Sequence, residues 1–431
     1  MNKKTESGQA IVLLVFAVIA LIGFTALAID GGMVFSDRRH AQSAADAASL
    51  AGGGFVALAL ENYEYVYQNF NCSDYGIQKI IYDSLLVAEN RAYSNDYTDP
   101  EVVVKANCVD NGSLFDENYI DIETFITRQT KTALIHFVYT GPVVNEVVAT
   151  VRVRPRYPLA FGNAIVALND DECSGNQYGV STNGSSVINI YGGGIFTNGC
   201  FDCDGLSCPD EEDETCVDID GVGGIGYAGS NICNKLDKLD PQPEKAPDEM
   251  PPRAVSVKAP DCSKDGAVTI DKITSGINLN TTYPGKDLIC LTESGNAIKI
   301  TAEGDHLVGK GITLYLVNSG DIDISGGIVE LSGPVPYPPP LAGLAGIMIY
   351  VNPQNSSVIK INGNSDSSYE GMIYAPSADI EITGSGTIDD PTVYNTQIVG
   401  QNVKVGGGAY IDIRFDNSIP IEIPSTLDLT E

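Results

Sequence analysis

Basic residues are scarce. Lys and Arg number 25 against 56 Asp and Glu, and the formal net charge is −31. Phosphate backbones and anionic lipid headgroups both require a basic surface, so nucleic acid and an acidic membrane surface are excluded as principal partners. Histidine occurs three times and no Ser/His/Asp arrangement stands out. No phosphate-binding Walker loop, dinucleotide fingerprint or H-E-x-x-H motif is found. Tryptophan is absent, and no cysteine precedes Cys72. These gaps remove the usual signatures of hydrolase, nucleotide and zinc-protease chemistry.

What is present is apolar content of 43%, enough for a packed core, on a chain of 431 residues that calls for two or three domains. Charge is also missing from one long stretch. Ala10 to Ile29 runs without a charged residue, and Gly23 is its only glycine. Its 20 residues match a hydrocarbon core about 30 Å thick. Lys3 and Lys4 precede it and Asp30 follows, which predicts a cytoplasmic N-terminus and an exported body. Arg38 and Arg39 beyond the far end oppose that assignment, and the acidic, cysteine-containing body supports it. A signal peptide cut near Ala26-Leu27-Ala28 is the competing reading. Prepilin-type processing after Gly8 is a third, although Leu13 stands where many prepilins carry Glu.

After Gly31-Gly32, small residues recur as Ala41, Ala44, Ala45, Ala48 and Ala51. Spacings of three and four put them on one helical face, suited to close packing on the same domain or on another helix. The segments S-G-Q-A-I-V-L-L, A-I-D-G-G and R-R-H-A-Q-S-A-A-D-A-A-S-L-A-G-G over residues 7–54 closely resemble the N-terminus of TadG-like proteins of the Tad (tight adherence, Flp pilus) assembly system. The resemblance implies a single-pass envelope protein linked to assembly or anchoring of a surface pilus, with partners among pilus-assembly proteins, and the alanine stripe offers self-association through the helix. The resemblance implies no catalytic residue.

The exported body divides by composition. Residues 33–60 are expected to be helical with a break at Gly52-Gly53-Gly54, and residues 77–93 form a second helix with Ile77, Ile80, Ile81 and Leu85 on its apolar face. Strands are expected at Val102–Val104, Tyr119–Thr124, Lys131–Tyr139, where His136 would be a packing residue, and Glu146–Arg154. This predicts an anchor over 1–32 and a membrane-proximal α+β domain over 33–160. From 161 to 431 short alternating strands (G-D-I-D-I, S-V-I-K-I, A-D-I-E-I, A-Y-I-D-I) lie between Gly, Asn and Ser turns. Alternation without intervening helices predicts a mostly β region, a parallel β-helix (solenoid) with a β-sandwich as the alternative. Pro241, Pro243, Pro247, Pro251, Pro252 and Pro260 make 234–262 an extended crossing loop, and 333–341 (G-P-V-P-Y-P-P-P-L) repeats the theme. Each is a strut, or a ligand for a proline-binding partner.

Ten cysteines in an exported chain predict disulfides. The candidates are Cys72, Cys108, Cys173, Cys200, Cys203, Cys208, Cys216, Cys233, Cys262 and Cys290, with Cys72–Cys108 and Cys262–Cys290 as plausible pairs. Cys200-x-x-Cys203 is also the start of a zinc pattern, but no second C-x-x-C follows. The loop near 200–233 carries Asp202, Asp204, Asp210, Glu211, Glu212, Asp213, Glu214, Asp218 and Asp220, a density that suits Ca²⁺ without matching a calcium motif. Asp321/Asp323 and Asp379/Glu381 alternate on strands and share a face, the arrangement a glycan-cleaving enzyme would need. The expectation is a non-enzymatic envelope protein, with a stand-alone adhesin and a glycan-cleaving β-helix as alternatives.

Overall fold

A computed structural model describes residues 7–110, 118–135, 141–170, 179–207, 215–221, 223–408, 410–415 and 421–430. The chain forms two compact units, one of residues 1–157 with 424–431 and one of residues 158–423.

The first unit begins with α1 (Ser7–Asn62), one uninterrupted helix. The expected break at Gly52-Gly53-Gly54 does not occur. Gly52 and Gly53 are buried where a second helix and the sheet approach, and that packing overrides their low helix propensity. The second helix, α2 (Tyr75–Tyr93), starts at Asp74, whose carboxylate accepts from the Gly76 and Ile77 amides. Its buried stripe is Ile77, Ile80, Ser84, Ala88 and Ala92. An antiparallel sheet follows: β1 (Val102–Val109), β2 (Tyr119–Thr130) and β3 (Val143–Arg154), with Val102 opposite Ile126 and Ile126 opposite Val147. Val147, Ala149, Val151 and Val153 alternate into the core against α1.

Two expectations fail here. Residues 131–135 are not a strand, because their amides turn to a side chain on α1; 136–140, with His136, lie outside the described residues. The last strand also departs from the expected 161–431 domain. Thr426–Thr430 pairs antiparallel with β3, setting Leu427 against Val153 and Leu429 against Val151. Arg154 reaches Asp428 at 2.5 Å, and the Ser425 amide donates to Glu61 at 2.9 Å. The sheet of the first unit is thus completed by the end of the chain.

The second unit is mostly β, built around a 21-stranded sheet whose described pairings are all parallel. Many strands pair with the third strand on, as from Leu288–Leu291 to Ile328–Ser332, and the pairings run in three rows. In row one, Ala267–Ile270 pairs with Leu288–Leu291, that with Thr313–Leu316, and that with Ile347–Val351. Row two runs Asn296–Ile300, Asp321–Ile324, Val358–Gly363, then 379–384 and 402–407. Row three begins His306–Gly309, Ile328–Ser332. The buried side of row two is a register of Ile298, Ile322, Ile359, Ile380, Val403, Val180 and Phe201, each at most 1% exposed.

The order along each row is not chain order. The strands of 165–245 start in the middle and run to one end. The chain then crosses to the opposite end at Ala267–Ile270 and works back, until 397–414 pairs with 165–191: Ile398 with Ile165, Val403 with Val180, Ile411 with Ile188. The proline-rich segment makes that crossing. The Met250 amide donates to Asn198 Oδ1 (2.7 Å), the Tyr374 hydroxyl to the Val255 carbonyl (2.9 Å) and the Tyr350 hydroxyl to the Val257 carbonyl (3.0 Å). Cys262 then bonds to Cys290. Cys290, Tyr315, Tyr350 and Tyr374 occupy successive strands in one register, so the segment lies along a ladder of side chains. Ring centroids are 5.3 Å apart for Tyr315–Tyr350 and 5.0 Å for Tyr350–Tyr374.

Candidate functional site: a latched helix and an acid ladder

The apolar start of α1 is solvent-exposed along its length, with Ile11, Leu13, Leu14, Phe16, Leu21 and Phe24 each 65–70% exposed. It is long and apolar enough to cross a membrane. Asp30 ends this stretch and is only 2% exposed. Its carboxylate accepts from the Ala133 amide (2.7 Å), from the Leu134 amide (3.0 and 3.2 Å) and from the Ile135 amide. A buried carboxylate is tolerated when several N–H groups replace its water. Nearby, the Asn145 amide donates to the Val34 carbonyl (3.3 Å) and to Thr130 Oγ1 (2.9 Å). The helix is therefore latched to the sheet unit at the residue where its exposed apolar stretch stops.

Beyond the latch, the alanine stripe is used inside the unit. Ala41, Ala44, Ala45 and Ala48 pack with Ala92, Tyr97, Val102, Ile126, Val147 and Ala149, while Ala51 is half-buried. Between the two uses foreseen for it, packing on its own domain is the one observed. Ser49, fully buried, donates to the Ala149 carbonyl (2.9 Å) and lies 2.8 Å from Thr124 Oγ1. Gln42 bonds Asp46 (2.8 Å) and the Val148 carbonyl (3.2 Å). The polar residues among the alanines tie helix to sheet; their spacing carried no signal for this, because their partners lie 75 to 106 residues away.

The cysteines among the described residues are disulfide-bonded. Cys72–Cys108 joins the approach to α2 to β1, Cys203–Cys233 joins the strand Phe201–Leu206 to the segment that follows the isolated bridge at Asn231, and Cys262–Cys290 pins the crossing segment. Cys200 and Cys216 are also disulfide-bonded, so neither Cys200 nor Cys203 offers a thiolate to zinc. Cys173, Cys208 and the carboxylates at 210–214 lie outside the described residues. Asp202 and Asp204 engage local amides: Asp202 accepts from the Asp204 amide (2.9 Å), and Asp204 from the amide and side chain of Asn234 (2.8 and 2.9 Å). Among the described residues no group of three or more His, Cys, Asp and Glu is placed to hold a metal.

The paired acids do share a face, on row two. The register there reads Lys299, Asp323, Lys360, Glu381, Lys404, a ladder of alternating sign. Glu381 lies 3.0 Å from the Lys404 ammonium and 3.6 Å from that of Lys360, and Asp379 accepts from the Asn402 amide at 2.7 Å. Burial pushes the Glu381 carboxyl up, but the hydrogen bond from Lys404 and the charges of Lys404 and Lys360 outweigh it and hold the carboxyl below the ordinary range. Such a group stays ionised and is a poor general acid. Glu330, on row three, is likewise held down, first by Lys310 and then by His306. The second proline-rich segment is fastened by Asp287, whose carboxylate accepts from the Leu341, Ala342 and Gly343 amides, and it leaves Tyr337 86% exposed.

Among the described residues one helix is long and apolar enough to cross a membrane, it continues unbroken into a small α+β unit, and a large parallel β unit accompanies it; the class is a disulfide-braced, mostly β protein with an N-terminal candidate membrane helix. Residues 8–60 match the Tad family model, described as "Putative Flp pilus-assembly TadE/G-like". The match covers the apolar stretch, the Asp30 latch, Gln42, the alanine stripe and Ser49 together. Searches of curated proteins and of solved structures find no match.

Proposed function

We infer that the protein is a membrane-anchored, extracytoplasmic structural component that assists assembly or anchoring of a Tad/Flp-type pilus and contributes to surface attachment. The observation that carries this is the coincidence of the family match with one continuous helix, exposed and apolar before Asp30 and buried against its own sheet after it. Lys3 and Lys4 ahead of the apolar stretch and the disulfides behind it favour a cytoplasmic N-terminus and a body outside the cytoplasm. We read the three rows of parallel strands as the three faces of a β-helix, a stiff body suited to presenting a surface. The reading is non-enzymatic and calls for no cofactor: Glu381 neutralises lysines of both adjacent strands, and Asp379 accepts from Asn402.

With the alanine stripe used internally, pilus partners would meet the other face of α1, where Met33, Phe35, Leu50 and Leu58 are exposed. The test is mass spectrometry of what co-purifies with a C-terminally tagged copy from gently solubilised native membranes. Enrichment of Tad secretion or pilin subunits, weakened when Phe35 and Leu58 become Glu, is the expected result. Recovery of the protein alone would overturn the pilus role and leave a stand-alone surface protein.

A further inference from the structure

The outward register of row two changes character at one place. From Lys299 to Lys404 every strand carries a charged side chain, long at each position except Asp323. The next two positions are Ser181 and Asp202, both short, with Gly205 beside them. The surface drops there into a trough of about 420 Å³ lined by Ser181, Asp202, Asp379, Glu381, Asn402 and Lys404, among others. It crosses the seam where 402–407 pairs with Val180–Gly184. Strands in a sheet are about 4.8 Å apart, so a depression crossing five of them is about 19 Å long.

The chemistry of this lining is narrow. Three carboxylates face one ammonium, so the trough repels phosphate- and sulfate-bearing polymers. No aromatic ring lines it, so it offers no platform for nucleobases, and of its apolar members Val358, Ile380 and Val403 only Val358 is exposed. It does offer carboxylate acceptors, amides, a hydroxyl and an ammonium donor side by side, the set that pairs with vicinal hydroxyl groups. Their geometry is fixed in advance. Asn402 is held between Asp379 (2.7 Å) and Asn169 (2.8 Å), and Lys404 is held on Glu381 (3.0 Å), which lowers the ordering cost of binding.

We propose that this trough binds a neutral glycan chain laid across the strands, several sugar residues at once. The proposal rests on the surface-attachment part of the function above and supplies its ligand class. It is tested with the full-length chain in lipid nanodiscs, titrated with tetramers of glucose, mannose and N-acetylglucosamine and with dextran sulfate as the anionic probe. Saturable binding of at least one neutral tetramer is expected, about tenfold or more tighter than the matching monosaccharide. The Ser181→Arg variant fills the trough and should weaken it about tenfold or more, while Lys299→Gln, at the far end of the same ladder, leaves it unchanged. Hydrogen exchange of the peptide over 180–206 reports whether Ser181→Arg keeps the native sheet; if it does not, Asp202→Ala takes its place in the same titration. Absence of saturable binding to all three tetramers, equal binding by the trough variant, or equally tight binding of dextran sulfate would overturn the proposal. The co-purification result does not depend on any of these outcomes, so failure of the ligand and failure of the pilus role remain distinguishable.

Discussion

Three consecutive glycines on α1 make a graded test of how closely this helix lies on its sheet. A Cβ added at Gly53 would stand 2.5 Å from Val151 Cγ1 and 3.3 Å from Val153 Cγ2, and both valines are fully buried on β3. A Cβ at Gly54 would meet nothing within 4 Å. Replacing Gly by Ala inside a helix gains about 1 kcal/mol of propensity, and forcing a methyl into a filled core costs about 1–3 kcal/mol. The two terms oppose each other at Gly53, where the contact is short enough to put the cost in its upper range, and only the first acts at Gly54. Gly53→Ala should therefore destabilise the first unit by about 1–2 kcal/mol, and Gly54→Ala should stabilise it by about 0.8–1 kcal/mol. Gly52→Ala, with contacts of 3.0–3.1 Å that include the Ser84 carbonyl, should fall between them. Hydrogen exchange by mass spectrometry on the full chain in detergent micelles, read on the slowest amides of β3, measures all three. Since about 1.4 kcal/mol is tenfold, protection should rise about fourfold for Gly54→Ala and fall about five- to thirtyfold for Gly53→Ala. A Gly53→Ala chain as well protected as the parent, or a reversed order of the two, would refute the packing argument.

Asp30→Asn keeps the shape and removes the charge that draws three amides together. It should cost about 2–3 kcal/mol, since hydrogen bonds to charged groups run about 1.5–3 kcal/mol, and the 133–135 amides should exchange faster. Replacing Cys262 and Cys290 by Ser removes a bridge of sequence separation 28, expected to cost about 3–4 kcal/mol in the second unit; thermal unfolding with Cys203–Cys233 intact checks it, and an unchanged midpoint would count against a bracing role. Because folding lowers the Glu381 pKa, its contribution to stability is complete above the ordinary Glu value near 4.3 and is lost as pH falls through the lower folded value. Glu381→Gln should accordingly be less stable than the parent near neutrality, with the difference shrinking as pH falls through that limb. Finally, the Leu159 amide donates to the Ile421 carbonyl at 2.7 Å, so the ends of the second unit are adjacent. A chain with 158–423 replaced by a short glycine linker should keep the pairing of β3 with Thr426–Thr430, and lost protection at 150–154 would contradict that.

Local patterns in the sequence are mirrored locally in the fold. The uncharged stretch from Ala10, the apolar face around Ile77 and Ile80, and the alternation in G-D-I-D-I and A-D-I-E-I all lie on elements of the expected type. What the sequence hid is set by distant partners. Asp30 reads as a boundary charge until the amides 103 to 105 residues later are seen to converge on it, and those same amides are why the strand expected from Lys131 does not begin there. Gly52 and Gly53 read as a break because propensity is local, while the surfaces that demand a bare Cα belong to Ala88, Ile122 and Val151. The tyrosines at 315, 350 and 374 have no regular spacing, because loops of different length separate strands that nonetheless stack in register. The trough has no signature at all, for it joins residues near 181 and 202 to residues near 379 and 404.

The permuted order of the rows also sets a timetable. When the chain is made from its N-terminus, the strands of 165–191 emerge first, yet their neighbours on one side are 397–414. Contacts across more than two hundred residues carry a large loop-closure cost and form late. During that interval the early strands expose an unpaired edge, the condition in which β proteins pair wrongly with one another. The segment of 165–245 can meanwhile stack on itself and close Cys203–Cys233. Its inner edge stays open until the last strands arrive, so a chain truncated before residue 397 keeps a permanently adhesive edge, and completion of synthesis is what makes the sheet safe.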